Sequence, residues 1–225
     1  MRRVVLIHGF GCDSRFWAPQ VAALGGYEVC VPDLPYHGGL SDGVEKSLEG
    51  LAAWVRRECL SEPAVLGGHS LGGMITLQIV HERPELVEGI VLMDSFPSLE
   101  LNARYLNGMY AEGMPAELRE WIEMTREEIV GAMTRENYDA IWPSVWAFDA
   151  RGWLDEIECP LLGIYGGRGR YGAADGERLK HDLLLDRVSG EVEIAVLESG
   201  GHFCNLEYPE ATNEVLVRWL QSLAC

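Results

Sequence analysis

The sequence predicts an α/β fold of three layers, in which helices cover both faces of a mostly parallel sheet of about six strands. Short apolar segments recur along the chain, and several of them are continuous rather than alternating. Continuous apolar strands are typical of a buried parallel sheet. Stretches with helical spacing of apolar residues separate these segments, which favours repeated strand–helix units. At 225 residues the chain has the length of one domain with a small insertion.

Six segments carry the strand pattern and three carry a helical pattern. The expected strands span 4–7, 27–31, 64–66, 87–93, 161–165 and 192–197. The expected helices span 47–60, 71–81 and 210–223. The last helix is amphipathic, because its apolar residues from Val215 to Leu223 recur on one face.

The segment 96–157 interrupts this alternation, since it contains no convincing buried strand. It is rich in Met and Trp and follows the C-terminal end of a strand, where ligand pockets of α/β proteins form. We therefore expect a helical lid at 96–157, inserted in a core made of 1–95 and 158–225. Surface helices that pack on the sheet are the alternative. The lid interpretation predicts four pocket-lining side chains: Met109, Trp121, Trp142 and Trp146.

The charge balance is strongly acidic, with 18 Lys and Arg against 35 Asp and Glu and a formal net charge of −17. Such a surface argues against nucleic acid or an anionic membrane as a partner, and we expect a small-molecule substrate. The six cysteines form no CxxC pair, and no apolar run approaches the ~20 residues of a membrane-spanning helix. No signal-peptide core precedes the first strand, so a cytoplasmic protein with reduced thiols is expected. The oligomeric state stays open.

The segment 64–74 places a serine between two glycines at the junction of a strand and a helix. Gly68, Ser70 and Gly72 have the GxSxG spacing. A sharp strand-to-helix turn leaves little room for Cβ atoms, and glycines two residues before and after the serine relieve the crowding. The serine hydroxyl then projects beside a helix N-terminus, whose free backbone N–H groups can stabilise an oxyanion. This context indicates that Ser70 is a nucleophile.

A serine hydroxyl is a weak nucleophile and requires a base, for which the chain offers six histidines. His202 suits the role best, because it follows the last strand in the loop ESGGHF, whose glycines let a side chain turn over the sheet edge. Of the other five, His8 is expected to brace a loop, His37 to reach the pocket rim and His69 to leave the elbow in another direction. His81 and His181 are expected on the surface.

Four segments together resemble the α/β-hydrolase family over nearly the whole chain. They are HGFG at 8–11, DLPYHGGLS at 33–41, GHSLGG at 68–73 and GGHFCNLEYPEATNEVLVRWL at 200–220. The resemblance implies Ser70 as nucleophile and His202 as general base. It also implies an oxyanion hole formed by the backbone N–H groups of Phe10 and Leu71. Many relatives carry an N-terminal β-hairpin, which we expect to be absent here because the HGFG strand begins almost at once.

The acid of the triad is where the chain departs from the family pattern. Most relatives carry it in a G-x-x-D segment after the strand at 161–165, and here Gly169 occupies the aspartate position. We expect Asp94 to serve instead, at the end of the strand before, where haloalkane dehalogenases place their acid. Asp175 is the alternative, at a position that also suits a helix N-cap. In the same glycine-rich segment, Arg168 and Arg170 are expected to be solvated, with contact to an anionic substrate group as the alternative.

These residues predict a serine hydrolase of the carboxylesterase kind, which cleaves a small to medium, partly apolar ester through an acyl-enzyme. The same triad suits C–C, thioester or lactone hydrolysis and acyl transfer. A non-catalytic ligand-binding protein on this fold is a further alternative, supported by the missing aspartate. No metal or other cofactor is expected, since the chain contains neither HExxH nor GxxxxGK[ST].

Overall fold

A single parallel sheet forms the centre of the chain. The computed structural model describes residues 1–37, 43–101 and 109–223. Its strands are β1 (Arg3–Ile7), β2 (Glu28–Cys30), β3 (Ala64–His69), β4 (Val87–Met93), β5 (Leu161–Gly166) and β6 (Val192–Leu197). Their order across the sheet is β2-β1-β3-β4-β5-β6, and every neighbouring pair is parallel. The predicted fold class is confirmed.

Helices connect the strands. They are α1 (Ala18–Ala23), α2 (Leu48–Cys59), α3 (Leu71–Glu82), α4 (Ala116–Ala132), α5 (Arg135–Ala147), α6 (Gly176–Asp182), α7 (Cys204–Glu207) and α8 (Pro209–Ser222). Short 3-10 helices span Ser14–Trp17, Pro84–Leu86, Leu154–Glu156, Ala173–Asp175 and Leu185–Arg187. Within the described ranges, no helix has the length and apolar character needed to cross a membrane.

Strand β3 is longer than the sequence predicts. Its pairing with β4 continues through Gly67 and Gly68 and ends with His69 opposite Met93. A Cβ atom on Gly67 would lie 2.7 Å from the Leu6 side chain. Gly67 therefore reflects close packing inside the sheet rather than the start of a turn, which is why the predicted strand ends too early.

The two faces of the sheet are covered by different helices. Side chains alternate along β1, so that Val5 and Ile7 pack in the larger core with α2 and α3, while Val4 and Leu6 face the core that contains Trp219 of α8. Burying one such side chain stabilises the fold by about 1.5–3 kcal/mol. Packing on both faces thus holds the strands in place, and with them the residues that follow their C-terminal ends.

The predicted lid contains helices α4 and α5. One face of α4 is buried at Ile122, Thr125 and Ile129. Helix α5 contributes Ile141 and Val145 to the larger core. Residues 102–108 of this segment lie outside the described ranges, and its described residues form one isolated antiparallel bridge and no named strand. The division into core and lid stays a prediction.

Three neighbouring strands lead into non-glycine residues with left-handed backbone. The angle φ is +52° at Ser70 after β3, +42° at Asp94 after β4 and +51° at Arg168, two residues beyond β5. Such conformations cost about 1–3 kcal/mol each and cluster at functional sites. All three follow the C-terminal ends of the strands, so this edge of the sheet is where a site is expected.

Candidate active site

Ser70 occupies a turn that only its flanking glycines permit. A Cβ atom on Gly68 would lie 2.2 Å from the backbone of Gly72, and one on Gly72 would lie 2.1 Å from the carbonyl oxygen of Ile7. Helix α3 therefore begins directly against β1 and β3. Because Leu71 is the first residue of α3, its backbone N–H belongs to the helix start, where such groups lack a partner within the helix.

The turn is held by two hydrogen bonds to β4 and the residues after it. The Ser70 backbone N–H donates to the Met93 carbonyl at 3.1 Å. The Ser95 hydroxyl donates to the Ser70 carbonyl at 2.6 Å. These bonds support the positive φ of Ser70 and present its side chain to the cavity described below.

Asp94 and His202 are in direct contact. The carboxylate Oδ2 lies 2.6 Å from Nδ1 of the imidazole, and both side chains are buried. The Asp94 backbone N–H donates to the Ile164 carbonyl at 2.8 Å, which ties the residue to β5. With Nδ1 engaged by the carboxylate, Nε2 is the ring nitrogen left to accept a proton.

Arg168 is not solvated, contrary to the expectation from the sequence. Its side chain is 5% exposed, and its Nη1 donates to Asp94 Oδ1 at 2.9 Å while Nη2 contacts Oδ2. Burial raises the pKa of Asp94, but the Arg168 charge and the hydrogen bond from His202 outweigh that effect and hold the pKa below its ordinary value. The carboxylate is therefore ionised at neutral pH.

The structure does not bring Asp175 to His202. Its carboxylate accepts a hydrogen bond from the Gly172 backbone at 2.8 Å and lies 3.7 Å from Arg178 in a partly exposed turn. Gly169, which replaces the expected aspartate, has a φ of +67° and no neighbouring atoms around its Cβ direction. The carboxylate that contacts His202 is Asp94.

The His202 loop is held from several sides by hydrogen bonds to other parts of the chain. The His202 backbone N–H donates to the Met109 carbonyl at 2.9 Å. The Glu207 carboxylate accepts from the backbone N–H groups of Gly201 and, at 3.0 Å, Ala111. The sequence analysis did not single out Glu207, and no local pattern marks it, because its partner Ala111 lies 96 positions away in the chain.

His69 also positions the His202 loop. Burial, together with the nearby His202, lowers the pKa of His69 to about 3, so its ring is neutral. Its Nε2 lies 2.8 Å from the His202 carbonyl oxygen. Since a carbonyl can only accept, this nitrogen carries the proton and donates it.

A cavity of about 410 Å³ opens above Ser70 and His202. Phe10, the second expected oxyanion donor, lies in its wall. Three of the four predicted pocket residues line it: Met109, Trp142 and Trp146. Trp121 does not. Its ring packs 5.2 Å from that of Phe16, because it lies beside the buried face of α4 rather than toward the cavity.

Metal ligands are not assembled in the described ranges, where no group of three or more His, Cys, Asp or Glu side chains could hold an ion. The expected absence of a cofactor stays a prediction.

Solved structures of hydrolases share this fold. An esterase from Thermogutta terrifontis, solved with malate bound, has a TM-score of 0.77 and 21% identity, covering 100% of this chain and 91% of the other. The enol-lactonase from Burkholderia xenovorans LB400 has a TM-score of 0.78 and 21% identity, covering 98% and 92%. At these identities the likeness concerns the fold alone.

Sequence relatives extend the comparison. The (E)-2-((N-methylformamido)methylene)succinate hydrolase of Acinetobacter baylyi is 26% identical over 97% of this chain and 90% of its own length. The pimeloyl-[acyl-carrier protein] methyl ester esterase of Neisseria meningitidis is 25% identical over 94% and 74%. The sequence model of the alpha/beta hydrolase family matches residues 4–215, and the chain therefore belongs to this family. The prediction that the chain is a hydrolase is confirmed.

Proposed function

We propose that the chain is a serine hydrolase that cleaves a carboxylic ester of a small to medium, partly apolar substrate through an acyl-enzyme. One observation carries the proposal. The turn that presents Ser70 and the buried contact between Asp94 and His202 open on the same cavity.

In the proposed mechanism, Ser70 Oγ attacks the ester carbonyl carbon while His202 Nε2 takes the hydroxyl proton. The backbone N–H groups of Phe10 and Leu71 stabilise the oxyanion of the tetrahedral intermediate. His202 then gives its proton to the leaving alcohol, and an acyl-enzyme remains. A water molecule attacks this ester as His202 takes one of its protons, and collapse of the second intermediate releases the acid and restores Ser70. Asp94 stabilises the imidazolium in both halves.

The shape of the cavity supports an organic substrate of modest size. Its volume of about 410 Å³ lies within the usual range of small-molecule sites. Aromatic side chains of Phe10, Tyr138, Trp142 and Trp146 form much of its wall. Such a wall favours a substrate with an apolar part, since burial of apolar area drives binding.

The names of two relatives support hydrolysis, and one of these names specifies an ester. One of them is named a methyl ester esterase, and another is named a hydrolase of a substituted succinate. The sequence supports the binding-protein alternative through the missing aspartate at position 169, and the contact between Asp94 and His202 removes this support.

The proposal is tested by labelling with a fluorophosphonate and by hydrolysis of p-nitrophenyl butyrate. We expect rapid labelling of the wild type and turnover of the ester, with both lost in Ser70→Ala. The matched control is Ser189→Ala, which removes a surface hydroxyl bonded to the Asp155 carbonyl and is expected to keep both. Absence of labelling in the wild type contradicts the proposal.

A further inference from the structure

Arg126 is a cation in the wall of the cavity that also contains Ser70 and His202. It projects from α4, and a Cβ atom built on Gly11 would lie 3.6 Å from both its Nε and its Nη2. A Cβ atom built on Gly9 would lie 3.2 Å from Ser70 Cβ. Gly9 and Gly11 are two residues apart, and two residues of extended chain span about 7 Å at most. Ser70 and Arg126 therefore lie beside opposite ends of the same short loop.

The Arg126 guanidinium has no carboxylate partner among the residues that the structure describes. Its Nε is buried without a hydrogen-bond acceptor. Other arginines of the same region are paired: Arg119, also on α4, lies 2.9 Å from Glu123, and Arg135 of α5 lies 2.7 Å from Asp139. In a chain with 35 acidic and 18 basic residues, a cation without an acidic partner is unusual.

None of the described side chains around Arg126 forms an ion pair with it: Glu123 and Glu127 line an adjoining surface pocket with Arg126, but Glu123 pairs with Arg119. Burial raises the pKa of the Cys12 thiol to about 12, so this group is neutral at physiological pH. The Phe203 ring centroid lies 5.7 Å from the guanidinium carbon, which gives a weak cation–π contact. Val130 on the same helix also lines the cavity. A partly buried charge among such groups is destabilising until an anion pairs with it.

We propose that Arg126 binds a carboxylate of the substrate, so that the cavity selects esters that carry a carboxylate group. This deepens the proposed function and rests on it. The planar guanidinium matches a carboxylate, and the single positive charge balances the single negative charge. Its attraction is strengthened because the aromatic cavity wall holds the pair away from water.

The test measures binding rather than turnover. Isothermal titration calorimetry of the wild type with adipate and with its neutral analogue adipamide, at matched ionic strength, compares the anion with an uncharged molecule of the same length. We expect adipate to bind about 10- to 100-fold more tightly, the range of one charge-assisted pair. This preference is expected to vanish in Arg126→Met and to shrink in Arg126→Lys. The matched control is Arg57→Met, which removes an exposed arginine of α2 and keeps the preference.

Two results overturn the inference: equal binding of both ligands by the wild type, or a preference for adipate that survives in Arg126→Met. The wild-type comparison decides even if the variants do not fold. The two proposals can fail separately, because calorimetry does not depend on Ser70. Equal binding of adipate and adipamide overturns the role of Arg126 even if fluorophosphonate labels Ser70. Absence of labelling contradicts the serine hydrolase even if adipate binds.

Discussion

Arg168 holds Asp94 through a forked ion pair, in which Nη1 lies 2.9 Å from Oδ1 and Nη2 contacts Oδ2. The same carboxylate contacts His202 at 2.6 Å and accepts from the Gly166 backbone N–H at 3.2 Å. A buried carboxylate needs such partners to stay charged. The glycine-rich segment after β5 thus supplies a cation to the site, at the place where most relatives would supply the acid.

Replacement of Arg168 is expected to impair the site through Asp94. In Arg168→Met the pKa of Asp94 rises, because burial remains while the largest opposing charge is lost. We expect kcat for p-nitrophenyl butyrate to fall about 10- to 100-fold and the acidic limb of the kcat/KM profile to move to higher pH. Arg168→Lys should recover part of both, since it restores the charge but not the fork. An unchanged pH profile in Arg168→Met, with the fold intact by circular dichroism, would show that the pair is only structural.

The choice of acid is tested by two conservative substitutions. Asp94→Asn keeps the shape but removes the charge that stabilises the His202 imidazolium, and we expect kcat to fall by about 10⁴. Asp175→Asn alters only a turn bonded to Gly172, and we expect turnover within about twofold of the wild type. The measurement is steady-state hydrolysis of one ester by both variants. The reverse order of losses contradicts the role of Asp94.

Local steric rules explain why part of the site could be predicted from the sequence. The glycines around Ser70 are required within five residues of chain, so the pattern alone indicates the turn that the structure contains. The strands are likewise recognisable, because a sheet buried on both faces demands continuous apolar segments. The position of His202 after the last strand predicts its role, because this position depends on topology rather than on distant side chains.

The remaining features depend on contacts between distant parts of the chain. The pairing of Arg168 with Asp94 joins residues 74 positions apart, and nothing beside Arg168 in the sequence distinguishes a buried arginine from a solvated one. Gly166 is an indirect signal that the end of β5 packs closely against the His202 loop, because a Cβ atom there would lie 2.2 Å from the Gly201 carbonyl oxygen. Composition predicts Trp121 in the pocket, but composition does not say which side of a helix faces the cavity.

Trp142 lines the cavity and Trp121 does not, so their replacement is expected to affect substrate preference differently. Trp142 lines the cavity and packs 4.7 Å from Phe10, so Trp142→Ala removes apolar contact area near the substrate. We expect kcat/KM for p-nitrophenyl octanoate to fall about tenfold more than that for p-nitrophenyl acetate, because only the longer chain reaches the wall. Trp121→Ala serves as the control and should change both esters equally. A loss of chain-length preference in Trp121→Ala instead would contradict the cavity assignment.

The buried histidines predict that stability declines in mild acid. Burial lowers the pKa of His37 and of His69 to about 3 in the fold, against 6.5 for an exposed imidazole. Unfolding therefore takes up protons below about pH 6.5, and each histidine removes up to about 1.4 kcal/mol of unfolding free energy per pH unit as the pH falls toward 3. Urea unfolding at pH 7.5, 6.5, 5.5 and 5.0 measures this slope. In His37→Phe, which fills similar volume without titrating, we expect the slope to be smaller by about one such contribution. Parallel curves for the wild type and His37→Phe would mean that His37 takes up no proton on unfolding.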